Sequence, residues 1–208
     1  MPIQITIIGL GQIGTSMGLA LAAHKNSILR VGHDKKADLE REAQQKDAID
    51  KSEHNLPTAV RDARIVVLAM PVSQVRETLE FIAPDLQENT VVLDTSPVKS
   101  NVAKWAKELL PEGRYYVGLA PAINPVYMHD FQFGQAAAKA DLFANGLFLI
   151  DAPYGTPEEA VTTAVDFVRL LEALPLLADP MESDGLMSTT HILPQLVAAS
   201  LLNATVDQ

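Results

Sequence analysis

Residues 3–21 read IQITIIGLGQIGTSMGLAL, and this stretch decides the fold. Its first part, Ile3–Ile8, is rich in β-branched residues, which is typical of a buried strand. Its last part, residues 13–21, places apolar side chains at helical spacing. The pattern GxGxxG stands between them at residues 9–14. The stretch therefore predicts a strand, a glycine turn and a helix, in the order that a dinucleotide phosphate site requires.

Each residue of the glycine turn has its own part in such a site. Gly9 permits the tight turn, and Gly11 lacks the Cβ that would hold a pyrophosphate away from the backbone. Gly14 allows the helix to lie close to the strand. The helix start at Gln12 and Ile13 offers unpaired N–H groups and a partial positive charge to the phosphates. We therefore predict that these five residues bind a dinucleotide cofactor.

An acidic residue about twenty positions beyond the turn completes the fingerprint. Asp34 follows a second apolar run, residues 28–33, and its carboxylate is suited to accept hydrogen bonds from ribose hydroxyls. A carboxylate also repels a 2′-phosphate, so the sequence favours NAD. Lys35 and Lys36 leave NADP open as the alternative, because they could hold that phosphate if Asp34 turned aside.

The composition limits the classes of function. The chain has 208 residues, of which 48% are hydrophobic, a net charge of −10 and no cysteine. The acidic balance argues against a nucleic acid or anionic membrane partner. Disulfides and thiolate metal sites are excluded, and no metal is predicted. No apolar run reaches membrane-spanning length, and a core strand at Ile3 leaves no room for a signal peptide, so we expect a cytoplasmic protein.

Strands alternate with helices along most of the chain. This pattern predicts an α/β fold with a doubly wound, mostly parallel Rossmann sheet, followed by a C-terminal helical segment. We expect a dinucleotide-binding domain over residues 1–178 and the start of a helical domain over residues 179–208. Ligands of such sheets lie at the carboxyl ends of the strands. The residues there are Met70, Pro71 and Thr95 as cofactor contacts, and Ser96, Lys99 and Asn124 as site candidates.

Several local features predict where elements begin and end. Ala120 and Pro121 are expected to end a strand that begins at Tyr115, and residues 125–139 look irregular. The segment TPEE at residues 156–159 predicts a helix with threonine as N-cap and glutamate completing a capping box. Pro194 interrupts a long apolar helical pattern near the C-terminus, where a kink is expected. That helix should pack on the cofactor domain or on a second subunit, which predicts a homodimer.

The order of the motifs resembles the prephenate and arogenate dehydrogenases of tyrosine biosynthesis. The resemblance covers essentially the whole chain, and the ordered set is more specific than any one motif. The matching segments are GLGQIGTS at residues 9–16, GHD at 32–34, VLAMPV at 67–72, DTSPVK at 94–99, VGLAP at 117–121, ADLF at 140–143, and Asp184 with LPQLVA at 193–198.

This resemblance implies an oxidative decarboxylation of a cyclohexadienol. Hydride leaves the ring carbon that bears the hydroxyl group, a histidine accepts the hydroxyl proton, and carbon dioxide departs to leave an aromatic ring. The base must lie within hydrogen-bond reach of that hydroxyl, and donors or cations must hold the substrate carboxylates. The resemblance also implies NAD as hydride acceptor, a small carboxylated substrate, and two subunits paired through a helical domain.

The chain keeps the family's cofactor residues and departs from its catalytic ones. Ala120 stands where the family has a histidine before proline, and Pro97 stands at the family's serine, with Ser96 one position earlier. The family's helical signature has serine at the position of His191 and histidine at that of Gln195. This chain also has Ser183 where the family has a histidine before Asp184. The family's carboxylate-binding arginine would lie beyond residue 208.

These departures leave alternatives open. His191 or His129 has taken over the role of the base on a related substrate, with Ser96 and Lys99 as further catalytic candidates and Gln195 and Asn124 as substrate contacts. Alternatively, the chain is a catalytically altered or regulatory protein that binds NAD(H), or a dehydrogenase for a different small carboxylated substrate.

Overall fold

The computed structural model describes residues 2–127, 130 and 132–206, without the side chains of His191 and Val206. Its centre is one eight-stranded sheet. The strand order is β3-β2-β1-β4-β5-β6-β7-β8, and every neighbouring pair is parallel except β6 and β7. The strands are β1 Ile3–Ile8, β2 Ile28–His33, β3 Lys51–Ser52, β4 Ala63–Leu68, β5 Val91–Asp94, β6 Tyr115–Pro121, β7 Leu147–Asp151 and β8 Leu174–Ala178.

Helices connect the strands and cover both faces of the sheet. The α-helices are α1 Gln12–Ala20, α2 Ala37–Gln45, α3 Leu56–Val60, α4 Val72–Ile82, α5 Lys99–Leu109, α6 Glu158–Leu170, α7 Pro180–Met187 and α8 Leu193–Val206. Short 3₁₀ helices span Leu21–His24, Ala83–Asp85, Pro125–Tyr127 and Gly134–Ala137.

The strand order places a crevice beside the glycine turn. The first six strands have the order 3-2-1-4-5-6, which is that of a Rossmann fold. The chain winds outward in opposite directions from β1 and β4, so the crevice opens at their carboxyl ends. Gly9 follows β1 and Ala69 follows β4 at this point. The predicted fold class is therefore confirmed.

The two faces of the sheet have separate apolar cores. On one face, Met17 of α1 and Phe167 of α6 pack with β-sheet residues such as Ile7 and Val67. On the other face, Leu79 of α4 packs in a second cluster with residues of α5 and of the strands. Because both faces are covered, β4 carries a continuous apolar run over residues 65–68, as the sequence predicts.

Three local predictions need correction. Strand β6 does not stop before Ala120 but continues through Pro121, because its antiparallel neighbour β7 pairs Ala120 with Leu149 and Pro121 with Phe148. The predicted capping box at α6 is wrong. Pro157 occupies the N-cap position, and the Thr156 hydroxyl donates instead to the carbonyl oxygen of Pro153 at 2.7 Å. The segment 125–139 contains the two 3₁₀ turns rather than being irregular throughout.

The C-terminal helix is only partly regular and largely uncovered. A π-helical turn, Ser188–Ile192, joins α7 to α8 just before Pro194, which has no N–H group to donate to the preceding turn. The apolar side chains of α8 are more than half exposed at Leu193, Leu196, Val197, Leu201 and Leu202. Within the part of the chain that the structure describes, these side chains belong to neither of the two apolar cores of the sheet. Among the described residues, no helix is both long and apolar enough to cross a membrane.

Candidate dinucleotide site and the buried charge cluster

The glycine turn adopts a conformation that two of its glycines make possible. Gly9 has φ +96°, in the left-handed region that favours glycine. A Cβ at Gly9 would collide with the backbone carbonyl oxygen of Ala69, and a Cβ at Gly14 would collide with that of Gly9. A side chain at either position would therefore push β1, β4 and α1 apart.

Gly11 is different, because nothing in the described structure would touch a Cβ there. No heavy atom comes within 4 Å of that position, and Gly11 has the ordinary φ of −75°. It is the N-cap residue of α1, and no side chain caps this helix start. The open space and the uncapped N–H groups together provide room and hydrogen-bond donors for a phosphate.

Asp34 lies directly beside the turn at the end of β2. One of its carboxylate oxygens accepts a hydrogen bond from the Leu10 N–H at 2.8 Å, and the other accepts from the Lys36 N–H at 2.9 Å. The backbone N–H of Asp34 in turn donates to Glu40 Oε1 at 3.0 Å. The predicted ribose acid is thus held against the glycine turn.

A cavity of about 310 Å³ joins the turn to Asp34. It brings together five predicted cofactor residues, Gly9, Gly11, Asp34, Met70 and Pro71. Its other walls are formed by Ile8, His33, Lys35, Lys36, Leu39, Leu56, Ala69, Gln74 and Thr78.

Four predicted cofactor residues do not line the cavity, namely Gln12, Ile13, Gly14 and Thr95. The Gln12 amide donates to the Ala137 carbonyl at 3.4 Å, and Ile13 packs against the first apolar core. The Thr95 hydroxyl donates to the Leu68 carbonyl at 3.0 Å, which ties β5 to β4 at their carboxyl ends. Their cofactor contacts remain predictions.

A buried lysine forms the centre of a second polar group beside this crevice. The side chain of Lys99, at the start of α5, is fully buried. Its Nζ donates to the carbonyl oxygens of Asp94 at 2.9 Å, Ser96 at 2.5 Å and Leu119 at 2.7 Å. The same Nζ lies 3.5 Å from Asp94 Oδ2. Burial lowers the pKa of Lys99, and the neighbouring carboxylates of Asp94 and Asp151 oppose that effect.

Asp94 accepts hydrogen bonds from two further members of the cluster around Lys99. Its Oδ2 accepts hydrogen bonds from the Ser96 hydroxyl at 2.6 Å and the Tyr116 hydroxyl at 3.3 Å. Burial, followed by the nearby Asp94 carboxylate, raises the pKa of Tyr116 well above its ordinary value. Ser96 is itself buried. The arrangement is a packed internal network rather than the wall of an open cavity.

Asp151 lies two strands away from Asp94, on the other side of β6. Both pair with Gly118 of β6, and a Cβ at Gly118 would lie 2.8 Å from Cδ of Lys99, so the lysine crosses the sheet over this glycine. The Asp151 carboxylate is fully buried, and neither of its oxygens nor the Ser183 hydroxyl has a hydrogen-bond partner among the described residues. Burial raises the pKa of Asp151 to about 6, and the positive charge of Lys99 offsets only part of this effect.

This carboxylate predicts a pH-dependent stability. The pKa of the Asp151 carboxyl is about 6 in the folded protein and 3.8 ordinarily. Between these two pH values the folded state therefore keeps a proton on this carboxyl that the unfolded state has already lost. The contribution of Asp151 to stability should therefore fall as pH rises from about 4 to about 6 and then stay low. Asp151→Asn, which carries no charge, should gain on the order of 2 kcal/mol over the wild type between pH 4.5 and 7.5.

Urea unfolding of both proteins at the two pH values measures this change. The matched control is Asp166→Asn, since Asp166 is an exposed residue of α6. The difference in unfolding free energy between Asp166→Asn and the wild type should be nearly the same at both pH values. A difference between Asp151→Asn and the wild type that is the same at both pH values would show that the carboxylate carries no such penalty.

Asp184 of α7 supplies the missing cap of α5. No side chain at the N-cap residue, Val98, caps this helix. The Asp184 carboxylate accepts instead from the backbone N–H of Lys99 at 2.6 Å and of Ser100 at 3.0 Å. Burial raises the pKa of Asp184, but the hydrogen bonds from Ser100 and Lys99 outweigh it, so its pKa lies below the ordinary value. This contact holds the C-terminal segment against the sheet domain.

Removing this carboxylate should loosen two helices at once. Asp184→Ala is expected to cost about 2 kcal/mol of unfolding free energy, because a helix cap and a contact between helices are lost together. Hydrogen exchange of the Lys99 and Ser100 amides should accelerate. The control is Asp179→Ala, since Asp179 caps only its own helix, accepting from the Met181 N–H at 2.8 Å. Equal exchange at the two amides in both variants would contradict a bridging role for Asp184.

Of the predicted catalytic residues, the structure brings Ser96 and Lys99 together, but inside a buried network rather than in an open site. Ser96 and Lys99 are buried in the charge cluster. The Asn124 side chain accepts from the Val126 N–H at 3.2 Å within its own turn, and Gln195 lies on exposed α8. The side chain of His191 and the whole of His129 lie outside the described residues. Their roles stay predictions.

The sequence analysis missed Asp151, although a pattern for it exists. The strands VVLD and FLID both end in an aspartate, at Asp94 and Asp151. Two acids at the carboxyl ends of the apolar strands β5 and β7, which lie on either side of β6, indicate a buried cation between them. That cation is Lys99.

Comparison with known proteins gives a consistent result. The family model described as "Prephenate dehydrogenase, nucleotide-binding domain" matches residues 17–174. The prephenate dehydrogenase of Bacillus subtilis is 28% identical over 97% of this chain and 53% of its own length. The cyclohexadienyl dehydrogenase of Zymomonas mobilis is 26% identical over 96% of this chain and 66% of its own length. The chain therefore spans about half to two thirds of these curated relatives.

Solved structures show the same fold. Arogenate dehydrogenase of Synechocystis superposes with a TM-score of 0.83 and 23% identity, covering 97% of this chain and 69% of that one. Prephenate dehydrogenase of A. aeolicus, solved in complex with hydroxyphenyl propionate and NAD+, has a TM-score of 0.88 and 18% identity, covering 100% of this chain and 71% of that one.

Proposed function

This chain belongs to the prephenate dehydrogenase family, and from that premise we propose that it binds NAD and takes part in oxidising a small cyclic hydroxy acid of the prephenate or arogenate type. The observation that carries the proposal is the open space at Gly11 beside the uncapped start of α1. Bound NAD would supply the hydride acceptor for such a reaction.

The chain's own residues fit this cofactor. In this proposal the N–H groups at the uncapped start of α1 bind the pyrophosphate, and the Asp34 carboxylate, which lines the same cavity, accepts hydrogen bonds from the ribose hydroxyls. Met70 and Pro71 form the wall on the β4 side of the cavity. Lys35 and Lys36 also line it, so NADP remains the alternative cofactor.

Asp34 provides the test of that alternative. Asp34→Ser removes the charge that repels a 2′-phosphate and leaves the two lysines in place. We expect the ratio of NAD to NADP affinity to fall by about tenfold or more, which calorimetric titration of both cofactors would measure. An unchanged ratio would remove Asp34 from cofactor selection.

The chemistry also needs a base for the substrate hydroxyl. Ala120 cannot accept a proton, and Ser96 and Lys99 are engaged inside the buried cluster. We therefore propose His191 as the base, with His129 as the other candidate, and Gln195 and Asn124 as contacts for the substrate. Loss of a general base typically costs 10²–10⁴-fold in rate.

The second candidate function is a regulatory NAD(H)-binding protein without turnover. The observation in its favour is the same engagement of Ser96 and Lys99, together with Ala120 at the position of the family's histidine. Both functions share the cofactor site and differ in whether substrate is oxidised.

One experiment separates them. Purified protein is titrated with NAD and then assayed with prephenate and with arogenate by the absorbance of reduced cofactor. The proposed dehydrogenase requires both binding and turnover, and His191→Gln should then lower the rate by about 10²-fold or more, with His129→Gln as the matched variant. Binding without turnover on either substrate would favour the regulatory function, and absence of binding would refute both.

The exposed face of α8 supports a homodimer. Five apolar side chains of this helix are uncovered, and such a surface is typical of an interface. Light scattering at micromolar concentration should show a dimer, and Leu201→Glu should convert it to a monomer; a wild-type monomer would contradict this proposal.

A cytoplasmic location also remains a proposal, which fractionation of the source cells would test.

A further inference from the structure

A group of metal-ligating side chains lies at the outer wall of the cofactor cavity. It consists of His33 at the end of β2, Glu40 in α2, and His54 in the loop between β3 and α3. One potential ligand atom from each residue lies within 4.8 Å of the other two. The proposed dehydrogenase chemistry makes no use of this group.

The distances within the group match those between ligands of one metal ion. His54 Nδ1 lies 3.1 Å from Glu40 Oε1, and His33 Nδ1 lies 3.6 Å from the same oxygen. The carbonyl oxygen of Glu53 lies 3.1 Å from His33 Nδ1. Ligands about 2.0–2.1 Å from a tetrahedral zinc ion are separated by roughly 3.3–3.4 Å. The measured separations bracket this value.

The site is built from residues that are held in place. His33 and Glu40 are 7% and 4% exposed. Glu40 Oε1 accepts the backbone N–H of Asp34 at 3.0 Å, which fixes the carboxylate from a second direction. His54 has a largely exposed side chain and can admit an ion from solvent. Two ligands are thus prearranged and the third lies at the opening.

We propose that His33, Glu40 and His54 bind one divalent transition-metal cation of the zinc class, with the Glu53 carbonyl as a fourth donor. Two imidazoles and one carboxylate are the ligand set of zinc, cobalt and nickel sites, whereas magnesium and calcium prefer oxygen ligands throughout.

The cation would also replace a network of hydrogen bonds with a tighter connection. It would link β2, α2 and the loop before α3, which together form one side of the cofactor cavity. Its binding does not depend on NAD or on any turnover, so it can be tested whether or not the dehydrogenase activity is found.

The test uses Co²⁺, whose visible absorption reports four-coordinate binding. The full chain is titrated with Co²⁺ and then with Zn²⁺ as a competitor, in the absence of cofactor. We expect one equivalent of Co²⁺ to bind with visible absorption and to be displaced by Zn²⁺. His54→Ala should weaken binding by about 100-fold or more, since even partners outside the ligand set cost 10–100-fold.

Two further variants make the outcome decisive. Glu40→Gln keeps an oxygen that can accept the Asp34 N–H but loses the anionic ligand, so it too should lose the cation. His24→Ala is the matched control, because His24 lies before β2, at the other end of that strand from His33. Binding that survives in His54→Ala and Glu40→Gln, or is lost equally in His24→Ala, would overturn the proposal. Absence of visible absorption in the wild type would show that the three residues form hydrogen bonds only.

Discussion

Gly11→Val is expected to abolish dinucleotide binding while leaving the fold intact. The Cβ of a valine at this position would have no heavy atom within 4 Å apart from adjacent residues and its own helix backbone, and the backbone has an ordinary negative φ. The same side chain occupies the space through which a pyrophosphate approaches the start of α1. We expect the affinity for NAD to fall by about 100-fold or more, which corresponds to about 2.8 kcal/mol.

Calorimetric titration measures the affinity, and thermal unfolding without cofactor measures the fold. The control is Gly185→Ala in α7, where a Cβ also meets nothing within 4 Å. It should bind NAD normally and be slightly more stable, because alanine is favoured over glycine in a helix by roughly 0.5–1 kcal/mol. Normal NAD affinity in Gly11→Val would refute the placement of the phosphates over the turn.

The other two glycines should behave differently from Gly11. Alanine at Gly14 collides with the carbonyl oxygen of Gly9, and alanine at Gly9 collides with that of Ala69. Those variants are expected to lose stability as well as binding. The three positions of one motif therefore separate the requirements of the fold from those of the ligand.

The sequence predicts this part of the molecule well because its signals are local. The turn at residues 9–14 and the acid at Asp34 belong to one strand-turn-helix-strand unit, and each residue type has a direct conformational or chemical reason. The alternation of strands and helices likewise predicts the doubly wound, mostly parallel sheet that the structure contains.

The corrected predictions concern features set by distant neighbours. The length of β6 depends on its antiparallel partner β7, which lies more than twenty residues further along the chain, so Ala120 and Pro121 give no local indication of it. Thr156 fits the capping pattern by sequence, but its hydroxyl donates to the Pro153 carbonyl oxygen instead of capping α6. Short polar side chains often choose such local partners over a cap.

The sequence does not predict the buried charge cluster around Lys99, for a related reason. A lysine at a helix start usually lies in solvent or in a site, and Lys99 was a candidate for the latter. Its burial depends on Gly118 leaving room for its side chain and on carbonyl oxygens from two different strand ends. Only the assembled sheet brings these groups to one lysine.

Lys99→Met is expected to have the largest effect on stability. Methionine fills a similar volume but provides neither the charge nor the donors of Nζ. The carbonyl oxygens of Asp94, Ser96 and Leu119 would lose their donor, and the buried Asp94 carboxylate would lose its cation. Breaking a buried ion pair from one side typically costs about 3–5 kcal/mol, and urea unfolding at pH 7.5 measures it.

A double variant shows whether the loss arises from uncompensated charge. In Lys99→Met with Asp151→Asn one of the buried acids is neutral, so part of the lost stability should return, and the two changes should not be additive. Lys104→Met is the matched control, because Lys104 lies exposed on the same helix. A Lys99→Met protein as stable as the wild type, but without turnover on a substrate that the wild type oxidises, would instead make Lys99 a catalytic group. The cluster would then have to open during the reaction, because Nζ is enclosed by its partners in the present structure.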